Sequence, residues 1–231
     1  MKLPIQLLTG QIIAQLSVIP MILYAQPWQW GITAVMYFGI LCLGITMGYH
    51  RYVSHKVFKS PLWFEYVMLF FAHIMMVGPA ILWVANHREH HRFSDTDKDP
   101  HSPKYQGLFS AFFLQVLVRI NFRYVRDLLK VQRYRAQVKY YWRIMGAWAL
   151  FLVLIDPNAL VYAWLAPAGL AKLVGSLVFT YSHRNERPNS DWWLGIITFG
   201  EGFHKVHHDN QRTKSFHKHD VGGMIINRID R

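Results

Sequence analysis

The chain has 231 residues, of which 52% are hydrophobic and only 16% charged, with one cysteine and a formal net charge of +12. Soluble domains carry about a quarter charged residues, so this composition argues against a soluble domain. The lone Cys42 excludes an internal disulfide and a cysteine-rich metal site. A basic chain can bind nucleic acid, but here the Lys and Arg residues border apolar blocks, the pattern of a cytoplasmic membrane face, and no nucleic-acid partner is expected.

At the start, Lys2 precedes an apolar stretch, as in a secretory leader. Gln6, Gln11 and Gln15 interrupt that stretch and no small-x-small cleavage site follows, so it reads as a retained first span. A crossing helix needs about 20 apolar residues. Residues 5–24 and 28–49 meet this, and 62–85 meets it equally by hydropathy. Residues 108–142 mix aromatic and basic side chains, among them Phe112, Phe113, Arg119, Phe122, Arg123, Tyr124 and Arg126, and predict helices lying on the inner surface. The last apolar region, 144–181, is broken by Asp156-Pro157-Asn158, a turn between two helices. Lys172 stands alone within it, either snorkelling or facing a cavity. No internal repeat or low-complexity tail is present.

Nine of the 13 histidines carry the chemical signal. They are His50 and His55, the trio His87, His90 and His91, the lone His183, and the trio His204, His207 and His208. On an α-helix residues i, i+3 and i+4 share a face, so each trio projects its imidazoles one way. His50 and His55, five apart, lie about 140° apart on an ideal α-helix, an arrangement suited to reaching two different ions. Chance clustering, hydrogen bonding or pH sensing would readily explain one pair, but not two HxxHH trios and an HxxxxH on one membrane side. A haem protein needs only two axial ligands and leaves the rest idle. Nine ligands exceed the four of a structural zinc site. Imidazole suits iron, zinc and copper alike, but a lipid-like substrate offers mostly C–H bonds, which oxygen activation at a redox metal attacks. Two iron ions are therefore expected.

Ligands of one site must share one side of the membrane. If 62–85 crossed, His87, His90 and His91 would emerge opposite His50 and His55. This segment should instead lie along the interface or enter and return, bending at Gly78-Pro79. Four transmembrane helices result, at 5–24, 28–49, 144–155 and 159–181. The outer turns 25–27 and 156–158 hold no Lys or Arg, and every basic residue except Lys172 falls at the N-terminal tip or on the inner side. Both termini are thus expected to be cytoplasmic. Of the acids near the clusters (Glu89, Asp95, Asp97, Asp99, Glu201, Asp209 and Asp220), some can accept the second ring N–H of a ligand histidine. Taken singly, each reads as a solvated surface carboxylate.

With GYHRYVSHKVFKSP (48–61), HREHHRFSDTDKDPHSP (87–103), YSH (181–183) and GEGFHKVHHD (200–209) in this order, the chain resembles the membrane fatty-acyl desaturases of the stearoyl-CoA or Δ9 type. The resemblance implies an all-α membrane protein, residues 1–231 forming a single integral-membrane desaturase domain. Its four transmembrane helices lie under a cytosolic helical cap, and the nine histidines hold two irons. It also implies O₂-dependent insertion of a cis double bond into an acyl chain held in a bent tunnel, with a separate electron donor of the ferredoxin or cytochrome b5 type. Trp83, just before the second box, is a candidate for lining that tunnel or for an interfacial anchor.

Three features depart from the family pattern. Phe179 stands where members often have an Asn holding a metal-bound water. Ala85 replaces an Arg that contacts the acyl-CoA carrier, which leaves CoA, acyl carrier protein or an intact lipid as carriers. No His-Pro-Gly-Gly haem motif follows the last box. The compact chain favours a bacterial inner membrane over the endoplasmic reticulum. A hydroxylase or ketolase on the same scaffold is the nearest rival, and a non-enzymatic membrane haem or metal-binding protein is a second. His73 reads as a hydrogen-bonded core residue, His101 as a structural or headgroup contact, and His217 and His219 as surface groups.

Overall fold

The computed structural model describes residues 2–230. All regular structure among the described residues is helical. Three helices are long and apolar enough to cross a membrane, namely Leu3–Tyr24, Pro27–Ser54 and Val161–Tyr181. They coincide with three of the four expected crossings. The fourth, 144–155, falls within Tyr141–Ile155, a helix of 15 residues that bends by 67° from Gln132–Lys139. Alone it is shorter than a full span.

Outward faces of these helices are apolar. Ile22, Val35, Leu150 and Leu154 are exposed, Leu154 by 77%, as expected of side chains that meet lipid instead of water. Tyr24, Trp28 and Trp30 are exposed around the turn before Pro27, where amphipathic rings suit a membrane–water boundary. Pro27 opens the second helix with its φ already set, and Gln26 and Gln29 cap it reciprocally.

The segment 62–85 does not run through. It divides into Leu62–Ile74, 13 residues long, and Ala80–Phe93. Thirteen residues reach only about 20 Å, too short for a core of about 30 Å. Leu62–Ile74 packs antiparallel on Gly39–Ser54, because Gly44 faces the backbone of Ala72 and Gly48 faces Met68. A Cβ at Gly44 would collide with the Ala72 backbone, so only glycine allows this approach. The chain reverses over residues 75–79, with Met76 at φ 63° and Gly78 at φ 95°. Gln137 clamps the reversal, accepting from Ala80 N (2.9 Å) and donating to Tyr49 Oη (2.7 Å), which in turn donates to Gly78 O (3.2 Å). The following helix then carries His87, His90 and His91 back to the level of His50. The segment thus folds back on itself and is not one continuous helix.

Buried Glu65 anchors the hairpin, accepting from Arg133 Nε (2.6 Å), Tyr134 Oη (2.8 Å) and Tyr52 Oη (3.0 Å). His73 Nε2 donates to Tyr141 O (3.0 Å) within the core, as expected of a core histidine, and its Nδ1 has no partner.

Candidate metal centre

The winding of Gly39–Ser54 decides how His50 and His55 meet. This stretch is a π-helix, with i→i+5 bonding that continues through His55 N to His50 O at 3.1 Å. Five residues then make approximately one bonded turn, and the imidazoles stand on one side with ring centroids 5.0 Å apart. The expectation of two different ions, which assumed an α-helix, is corrected. Both rings fall in one group.

All nine histidines form two compact groups, His50, His55, His87, His91 and His207 in one, and His90, His183, His204 and His208 in the other. Within each group the offered nitrogens lie within 4.8 Å of one another. Each HxxHH trio divides between the groups. The i, i+4 pair stays together, His87 with His91 and His204 with His208, while His90 and His207 serve the opposite group.

The Nε2 atoms face one another. His50 meets His207 at 2.9 Å, His55 meets His87 at 2.9 Å, His207 meets His91 at 2.7 Å and His183 meets His204 at 2.9 Å. The outer Nδ1 atoms of three rings face carboxylates. His90 donates to Asp99 (2.9 Å) and His183 to Asp95 (3.0 Å), while His50 Nδ1 lies against Glu201 as a close contact without hydrogen-bond geometry. A ring that gives its Nδ1 proton to a carboxylate holds a lone pair on Nε2. Buried lone pairs aimed at each other repel, and a shared cation removes the conflict. The buried His90 Nε2 has no partner at all. This donor set fits two nitrogen-ligated metal ions.

Electrostatics favour the neutral rings that metals require. Burial pushes His55 down to about 2. Burial and neighbouring imidazoles push His91 and His208 far below the ordinary histidine range. Burial alone would raise the Asp99 carboxyl, but bonds from His90 and from the His101 and Asp95 amides outweigh it and hold it below its usual value.

Asp95, Asp99, Glu201 and Asp220 are therefore not solvated surface carboxylates, as each seemed singly. Asp99 and Asp220 are fully shielded, and Asp220 pairs with buried Arg51 at 2.9 Å. Asp97 and Asp209 are exposed, as expected, and Glu89 is half-buried beside Asn121. Sequence reasoning also passed over Arg51, whose guanidinium stacks 3.9 Å above Phe216.

An apolar pocket abuts both groups, walled by Leu41, Ile45, Met75 and Val178 and reaching His87 and His204. Trp83 borders it and stacks on His87, with centroids 4.8 Å apart. Lys172 also faces it, and donates to Phe112 O (2.9 Å), Gln115 Oε1 (3.3 Å) and Ser176 Oγ, so it does not snorkel. Phe179 lies beside His90, ring centroids 6.1 Å apart, and offers no ligand atom.

A sequence model of the fatty acid desaturase family matches residues 26–221. The chain belongs to the fatty acid desaturase family. Among its relatives are Delta-9 acyl-lipid desaturase 2 of Arabidopsis thaliana, 34% identical over 75% of this chain and 61% of its own length, and sn-1 stearoyl-lipid 9-desaturase of Anabaena variabilis, 30% identical over 77% of this chain and 70% of its own. The chain thus spans about three fifths of the length of the Arabidopsis relative.

Proposed function

We propose that this protein is a fatty-acyl desaturase that introduces a cis double bond at the Δ9 position of a saturated chain. The convergence of nine imidazoles beside an apolar cavity carries the reading, and the Δ9 position rests on the names of the relatives. One iron would be held by His50, His55, His87, His91 and His207, the other by His90, His183, His204 and His208. Bound there, the irons supply activation of dioxygen for attack on C–H bonds. Overall, two adjacent methylenes lose one hydrogen each. Dioxygen takes these two hydrogens, two electrons from a ferredoxin or cytochrome b5 type donor and two protons, and leaves as two waters.

The chain's own contribution is placement. Leu41, Ile45, Met75 and Val178 exclude water and hold the methylenes, and Trp83 packs between the chain and His87. Asp95 and Asp99 fix the orientation and tautomer of His183 and His90. The same proposal includes four crossings with both termini cytoplasmic, the bent pair Gln132–Lys139 and Tyr141–Ile155 completing the fourth.

Expression in cells rich in saturated lipid, with a working donor and with iron measured in the same preparation, tests the reading. Products lacking two hydrogens are expected. Products carrying an added oxygen would turn it toward a hydroxylase, and unchanged lipids would overturn it.

A further inference from the structure

A second pocket shares Val77, Trp83, Gln115 and Phe179 with the apolar one. Its lining differs in kind. Gln11, Asn86 and His101 are 1%, 7% and 6% exposed, and Gln11 Oε1, Asn86 Oδ1 and His101 Nδ1 each lack a partner. Buried polar atoms are nearly always paired, so three in one cavity point to a ligand that pairs them.

The atoms specify its chemistry. Gln11 Nε2 donates to Met76 O at 2.9 Å, which fixes the amide and leaves Oε1 as an acceptor that needs an N–H or O–H. Asn86 Oδ1 needs a donor in the same way, while Asn86 Nδ2 and a His101 ring N–H can donate to a carbonyl. No Asp, Glu, Lys or Arg lines this cavity among the described residues, so a phosphate or carboxylate would find no counter-charge.

We propose that the cavity bounded by Gln11, Asn86 and His101 binds the uncharged linkage that joins the acyl chain to its carrier, a carbonyl with an N–H or O–H donor close by. This rests on the desaturase reading, since the shared lining sets the linkage next to the pocket assigned to the acyl chain. Two sources carry that chemistry: the thioester and amide of a pantetheine arm, and the ester and free hydroxyl of a glyceride.

Equilibrium binding to the purified protein, without an electron donor, tests it. The ligands are S-stearoyl pantetheine, monostearoylglycerol and methyl stearate, the last having a carbonyl but no donor. At least one of the first two should bind about tenfold more tightly than methyl stearate, the worth of roughly one hydrogen bond, and the tighter one identifies the source. Gln11→Met should abolish the tenfold preference while methyl stearate still binds, which also shows that the variant is folded. Asn86→Leu should weaken all three ligands alike through lost donation to the carbonyl. Equal binding of the three ligands by the wild type, or a preference that survives Gln11→Met, would overturn the proposal. Absence of desaturation with the preference intact would sink the proposed activity and leave the site standing.

Discussion

The Arg51 guanidinium lies 2.9 Å from the Asp220 carboxylate with both side chains wholly shielded from solvent. Asp220 also accepts from Phe216 N and Gly223 N, each at 2.8 Å, and so caps the Val221–Ile229 helix. Arg51 lies 3.7 Å from Glu201, which contacts His50. The last helix is thereby tied to the back of a candidate ligand. Gly200 sits at φ +124° in the crook of this pair, where a Cβ would run into Asp220. Removing one partner of a buried pair leaves an uncompensated charge, at about 3–5 kcal/mol. Asp220→Asn should lower unfolding stability in detergent by that order, whereas Asp209→Asn, which breaks an exposed pair with Lys205, should cost about 0–1 kcal/mol. Equal effects would show that the Arg51 pair contributes no more than a surface one.

Carboxylates that hold the outer nitrogen of a ligand ring raise its basicity, and losing one typically costs about 10–100-fold in metal affinity. Asp99→Asn and Asp95→Asn should each weaken iron retention by that factor in competition with a chelator, while Asp97→Asn, which touches none of the nine rings and is exposed, should not. Iron retention unchanged in Asp99→Asn would remove its orienting role.

The two groups are unequal, with five histidines against four. Phe179 adds no ligand beside the smaller one. One deletion takes a larger share from the four. His90→Ala should reduce iron from about two per chain toward about one and abolish desaturation, and His55→Ala should leave more iron bound than His90→Ala. Retained full activity in His90→Ala would refute the assignment.

Most of this centre could be read from the chain, because imidazoles at i, i+3 and i+4 mark themselves by type and spacing. The return of 62–85 could be read too, since His87 had to meet His50. The pairing of His50 with His55 could not. A five-residue spacing implies opposite faces only on an α-helix, and nothing in GILCLGITMGYHRYVS announces i→i+5 bonding. The orienting carboxylates were also hidden. Asp95, Asp97 and Asp99 alternate along one loop with no local feature to separate them, and only the folded chain brings Asp95 to His183 and Asp99 to His90 while leaving Asp97 exposed.

Acid sensitivity follows from His101, which is buried and which burial holds at about 3 against 6.5 when free. Between these values the unfolded chain binds a proton that the folded chain refuses. Stability is therefore complete above about 6.5, falls as pH drops below it, and stops falling from this cause near 3. The slope for one such group approaches about 1.4 kcal/mol per pH unit. Other buried rings, such as His55, act in the same sense, so the contribution of His101 is read by difference. In metal-free protein, His101→Gln should recover about 2 kcal/mol of the stability lost between pH 7 and pH 5 relative to the wild type. The measurement is unfolding free energy in detergent at both values. Parallel losses in the two proteins would mean that His101 takes up its proton in the folded state and is not held neutral.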